Sequence, residues 1–200
     1  MPARIALPLA LLLLALAAPA PTSASHVKGK CRGGKTISQN SVARLYESDS
    51  TLFGCVWADD EPVELDTRLD DDTTVSEDYL GPRLAGRFAA WTHYSEDVSC
   101  KADCPPDYSG VDFTVNRVDL KTERSATVGG APAGSTLRVN KRGAVTWLER
   151  LGGGRRAVNA WDADGHRVLD SGPIRTGSYS LRGSVLRWTN GDQAHAVTLR

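Results

Sequence analysis

The sequence carries no excess of either charge: 24 Lys and Arg stand against 24 Asp and Glu. A balanced chain has no long-range field to draw nucleic acid or an anionic membrane. Beyond residue 18 no apolar run is long enough to cross a bilayer, and almost no stretch repeats its apolar residues at helical spacing. No Gly-x-Ser-x-Gly occurs, which removes the nucleophile elbow of the α/β-hydrolases. The glycine-rich "GGGRR" (152–156) lacks the Lys-Ser/Thr and helix of a phosphate-binding loop, so it reads as a hairpin loop.

What is present begins with an export signal. Arg4 precedes the apolar run Ile5 to Ala18, which is short for a membrane span and is followed by Pro19, Pro21 and small residues. Cleavage after Ala24 is expected, giving a signal peptide over 1–24 and a secreted mature chain. No cysteine follows the run closely, so no lipid anchor and no stable membrane attachment is expected. Residues 25–34 read as a flexible N-terminal segment.

Four cysteines in an exported chain point to two disulfides, with Cys31–Cys55 and Cys100–Cys104 the favoured pairing. Zinc, with His93 as a third ligand, is the weaker use because no second Cys/His pair sits at metal spacing. Charge is uneven along the chain: residues 59–78 hold ten acids and one base, Arg68, whereas 115–200 hold fourteen bases and seven acids. The acidic run is too poor in apolar residues for a core strand and is expected at an exposed edge or in a loop.

Short alternating apolar runs bounded by Gly, Asp, Asn and Pro recur to the end, so the fold is expected to be all-β. The runs repeat. "LAGRFAAWTHY" (84–94), "LRVNKRGAVTWLE" (137–149) and "LRGSVLRWTNG" (181–191) share Leu, Gly and a strand ending in Trp91, Trp147 or Trp188. "VNRVD" (115–119) matches "VNAWD" (158–162), 43 residues later. The surplus between Trp91 and Trp147 falls near 95–110 and suggests an insertion clipped by Cys100 and Cys104. "TLFGCVWA" (51–58) reads as the Trp strand of a divergent first repeat, with Trp57 in the equivalent place.

A period near forty with four strands per unit is the pattern of propeller blades. The repeats over 35–200 resemble those of β-propeller families of the WD-repeat and TolB type, and Trp161-Asp162 stands where WD repeats carry their dipeptide. The resemblance implies repeated four-stranded antiparallel units in a small propeller-like ring of about four blades; a β-sandwich or partial propeller is the alternative. The last unit stops after three strands, and "KTISQ" (35–39) is expected to supply the fourth and close the ring, bringing Ile37 beside Val197.

Chemistry is less legible. "WDADGH" (161–166) has carboxylates and a glycine but too few ligands for calcium, and "DADG" is a hairpin signal. Asp170-Ser171-Gly172 looks like the nucleophile region of trypsin-like proteases, yet no histidine partner is visible, and a turn explains it. Trp57, Trp91, Trp147 and Trp188 are expected in the core; Trp161, whose counterpart is Val118, is the tryptophan expected to face a ligand. Trp161, His166 and His93 are the candidate ligand-binding residues, and no catalytic residue, metal or cofactor is assigned. The reading is a secreted, non-catalytic binding or scaffold module for an unknown protein or glycan, with no nucleic-acid partner. A secreted hydrolase or glycan-binding lectin is the alternative.

Overall fold

A computed structural model describes residues 29–70, 75–97, 110–132 and 134–200. Within them the chain is almost entirely strand, and four antiparallel sheets follow one another in sequence. Sheet 1 holds β1 (Lys35–Gln39), β2 (Ala43–Ser48), β3 (Thr51–Val56) and β4 (Pro62–Thr67). Sheet 2 holds a two-residue edge β5 (Leu69–Asp70), then β6 (Val75–Ala85), β7 (Phe88–Asp97), β8 (Val111–Asp119) and β9 (Arg124–Gly130). Sheet 3 is β10 (Thr136–Val139), β11 (Val145–Gly152), β12 (Arg155–Asp162) and β13 (Gly165–Gly172). Sheet 4 has three strands, β14 (Ser180–Arg182), β15 (Val185–Asn190) and β16 (Gln193–Thr198). The protein is a propeller-like repeat of four antiparallel units, as its sequence period implies.

The turns explain the local choices. Asn40 and Asn140 stand at equivalent first turns, and each side-chain Oδ1 accepts two main-chain N–H groups, from Val42 and Ala43 and from Arg142 and Ala144. Asp119 and Asp162 close the matching third strands by accepting from Lys121 and Asp164 two residues on. The carboxylate of Asp162 also takes the Arg167 guanidinium at 2.8 Å and the Arg200 N–H at 2.9 Å. "DADG" is therefore a hairpin turn whose leading carboxylate is fully engaged.

Alternation along each second strand sends successive side chains to opposite neighbours. Ala89 and Trp91 pack toward sheet 1, in a buried cluster with Ala43, Leu45 and Leu52, while Ala90 packs toward sheet 3. Trp147 joins Ala90, Val115 and Leu137; Trp188 joins Ala144, Leu148 and Tyr179. Each tryptophan thus faces the preceding sheet. Three buried clusters join sheets 1 and 2, 2 and 3, and 3 and 4, and none among the described residues joins sheet 4 to sheet 1.

Two expectations are corrected. "KTISQ" is β1, the first strand of sheet 1; it pairs with β2 and β16 pairs with β15, so no shared sheet brings Ile37 to Val197. "TLFGCVWA" is a third strand rather than a Trp strand. Pairing registers set Tyr46, opposite Phe53, in the place of Trp91 opposite Asn116 and Trp147 opposite Asn159. Trp57 lies just past β3 and donates its indole N–H to the Asn40 carbonyl at 2.9 Å. An aromatic residue of another type at the repeat position, with a tryptophan nearby, misaligned the first unit.

The outer face of sheet 1 is covered. Tyr46 faces away from sheet 2, where a preceding sheet would lie, and is covered instead by the Cys31–Cys55 disulfide and Phe53. Arg44 stitches this cover down, donating to the carbonyls of Cys31 and Gly34 and to Thr36 Oγ1. At the far end, the position that holds Leu45, Ala90 and Thr146 in the other sheets is Arg187, which is exposed. Repeat stacks need such polar or covered terminal faces to stay soluble. Cys100 and Cys104, and with them the expected second disulfide and clipped insertion, lie outside the described residues, as does the expected signal peptide. Among the described residues no helix is long and apolar enough to cross a membrane.

Candidate functional site

A carboxylate on the fourth strand of one sheet reaches the tryptophan of the next. Asp66, on β4, accepts from Trp91 Nε1 at 2.5 Å; Asp170, on β13, accepts from Trp188 Nε1 at 2.6 Å. Both aspartates sit at a bulge opposite the same third-strand position, Leu52 and Val158, and both accept from the following residue's N–H, Thr67 or Ser171. A bulge re-aims a side chain off the sheet face, here toward the neighbouring sheet. At the middle joint the bulge residue opposite Val115 is Gly129. The Trp147 ring lies so close that a Cβ on Gly129 would stand 2.7 Å from it, and Trp147 Nε1 is buried without a hydrogen-bond partner among the described residues.

The first joint opens into a cleft of about 440 Å³ between β4 and the face of β7, β8 and β9. Its polar lining includes Glu64, Asp66, His93, Asn116, Glu123 and Thr127, over an apolar floor with Leu65, Trp91 and Val118, and no Lys or Arg lines it. Asp66 is nearly buried and holds the site together. Besides Trp91 and the Thr67 N–H, both of its oxygens lie 3.1 Å from His93 Nδ1. An Nδ1–H bonded to Asp66 fixes the ring and turns Nε2 to meet whatever enters the cleft. Thr127 Oγ1 donates to Asn116 Oδ1 at 2.9 Å, so that pair is oriented as well. The cleft can supply carboxylate acceptors, an imidazole and a neutral amide; it presents a field of one sign.

The three candidate ligand residues do not converge. His93 is in this cleft. Trp161 is half-buried against the core between sheets 2 and 3, with the Arg117 guanidinium 4.6 Å over its ring, and lines a separate hollow of about 290 Å³ with Arg142 and Arg200. Burial lowers the Arg117 pKa, and Asp119 pulls it back up. His166 stacks on Trp147, with centroids 5.2 Å apart, and its Nε2 lies 3.2 Å from Asn159 Oδ1. His195 likewise stacks on Trp188 at 5.4 Å. Sequence reasoning missed Asp66, Glu64 and Glu123. A signal was there for Asp66: Leu65-Asp66-Thr67 and Leu169-Asp170-Ser171 are the same tripeptide pattern in equivalent fourth strands. The Asp-Ser-Gly that resembled a nucleophile region is one copy of this clamp.

No family model matches the chain, and no curated protein matches it. A solved structure of a puromycin-hydrolyzing peptidase from Mycobacterium tuberculosis is similar at a TM-score of 0.46 and 13% identity, over 80% of this chain and 30% of that one. A likeness of that size carries no argument about the chemistry of this chain.

Proposed function

We propose that the protein is a secreted, non-catalytic binding module whose ligand enters the cleft at the joint of sheets 1 and 2. The observation that carries the reading is the cleft itself: about 440 Å³, three carboxylates and a held imidazole, with no Lys or Arg among the described residues of its lining. Such a site favours a small ligand or side chain that brings hydrogen-bond donors or positive charge. The disulfide is compatible with an oxidising compartment. Trp161 and His166 contribute to binding only in separate places.

A hydrolase is the second reading, favoured by the His93–Asp66 pair, which has the geometry of a base and its orienting carboxylate. One experiment separates the two. The purified chain is screened on an array of glycans, peptides and amines and against ester, peptide and glycoside substrates. Binding that disappears in Glu64→Gln and Glu123→Gln, with no turnover, supports the binding module. Turnover that disappears in His93→Ala sinks it in favour of the hydrolase, and binding untouched by all three variants removes the cleft from the function.

A further inference from the structure

Sheets 1, 2 and 3 each add a fourth antiparallel strand, β4, β9 or β13, to the outer edge of the third. Sheet 4 does not: among the described residues β16 pairs with β15 alone. The exposed groups on that edge follow from the hairpin. Asn190 and Gln193 flank a two-residue turn and face each other across the ladder, so Gln193, His195 and Val197 turn their main-chain N–H and C=O toward β15. The Leu199 N–H bond to the Ser184 carbonyl, at 2.8 Å, keeps this alternation. Ala194, Ala196 and Thr198 therefore turn theirs off the edge, and all three residues are exposed.

Among the described residues no strand covers them. After β16 the chain is drawn to the third-strand turn of sheet 3, where the Arg200 N–H bonds the Asp162 carboxylate and the Arg200 carbonyl accepts from Ala163. Nor is the edge blunted by charge, as exposed edges usually are. The other fourth-position strands carry Glu64 and Asp66, Arg124, or Arg167 and Asp170, whereas β16, "QAHAVT", has no Lys, Arg, Asp or Glu. The residues whose main-chain groups point outward are small, and no residue of β16 carries a formal Lys, Arg, Asp or Glu charge, so a second β16 laid antiparallel meets no like-charged side chain and sets His195 opposite Val197 of the other copy.

We propose that β16 is a self-association edge, on which a second copy of this chain lays its own β16 antiparallel about a two-fold axis at Ala196. An antiparallel ladder pairs outward residues only with outward residues. Centring on Ala196 matches Ala196 with its copy and Ala194 with Thr198 of the other chain, which uses every free main-chain group of the edge. The two three-stranded sheets become one of six strands, and the interface is isologous and closed.

The test is sedimentation of the full chain across the micromolar to millimolar range, with hydrogen exchange at Ala194, Ala196 and Thr198. A dimer whose three edge amides become protected as concentration rises is the expected result. Ala196→Pro removes an N–H that makes no ladder bond among the described residues, and Ala196→Lys sets two ammonium groups against each other at the axis. Each variant should keep the wild-type circular dichroism and sediment as a monomer; if Ala196→Pro does not fold, Ala196→Lys decides. A wild-type monomer throughout, a folded variant that still dimerises, or edge protection that does not depend on concentration would each overturn the proposal.

Discussion

Replacing Asp66 with Ala removes one carboxylate that serves three donors, and they are unequal. The Trp91 residue is only 4% exposed, so losing the charged acceptor of its indole N–H costs about 2 kcal/mol. His93 borders the open cleft and Thr67 is only half-buried, so both can be rehydrated, which limits their loss to about 0.5 kcal/mol each. The total is about 3 kcal/mol, or a fall of about 10 °C in Tm for a domain of this size. Urea unfolding should show the lower midpoint with an unchanged slope, because the exposed area is the same. A double-mutant cycle isolates the clamp: Trp91→Phe should cost about 1.5 kcal/mol less in the Asp66→Ala background than in the wild type. Trp147→Phe is the control, since Trp147 Nε1 has no partner among the described residues and only ring size changes. Additive costs at 66 and 91, to within about 0.3 kcal/mol, would refute the inter-sheet clamp.

Asp170→Ala should repeat the loss at the last joint, since it strands Trp188 Nε1 and leaves Asn190 Nδ2 only its longer bond to the Ser171 carbonyl, and thermal unfolding checks it against Asp66→Ala. Ser171→Ala, beside it, should shift the midpoint by less than about 0.5 kcal/mol and leave any activity unchanged, because the serine side chain is exposed. Breaking the Cys31–Cys55 bridge by Cys55→Ser should cost about 3 kcal/mol and raise binding of a hydrophobic dye as Tyr46 and Phe53 lose their cover. Burial raises the Tyr179 phenol pKa, so the folded chain holds that proton more tightly than the unfolded one. The stability this contributes is complete below the unfolded value near 10 and lost as pH climbs through the higher folded value; Tyr179→Phe should flatten the decline seen in alkaline unfolding series.

The repeat was legible because each unit solves the same packing problem with the same residues. A Trp on the second strand, Val-Asn on the third and a closing Asp recur at a near-constant spacing, and the third unit's four strands fall where that pattern puts them. The first unit misled because Tyr46 takes the tryptophan's place and Trp57 lies close by. Ring closure was misread for a different reason: a spare strand and a three-stranded last sheet look complementary on paper, but edge pairing depends on where the chain turns, and β1 is claimed by its own hairpin. The site was harder still. His93 was visible as a residue type, while its partner Asp66 lies 27 positions away inside a run of acids, where one buried carboxylate looks like its solvated neighbours.

A closed ring fixes how many units it holds, because the last must meet the first at the right angle. Sheets stacked one on the next have no such arithmetic. Each joint here is a local agreement, a tryptophan from one unit and a bulge residue from the one before, and the disulfide cover is attached to the first sheet alone. The chain therefore has a modular grammar: a further unit of about forty residues, bearing a Trp on its second strand and an Asp at its bulge, would fit between two existing sheets without disturbing either end.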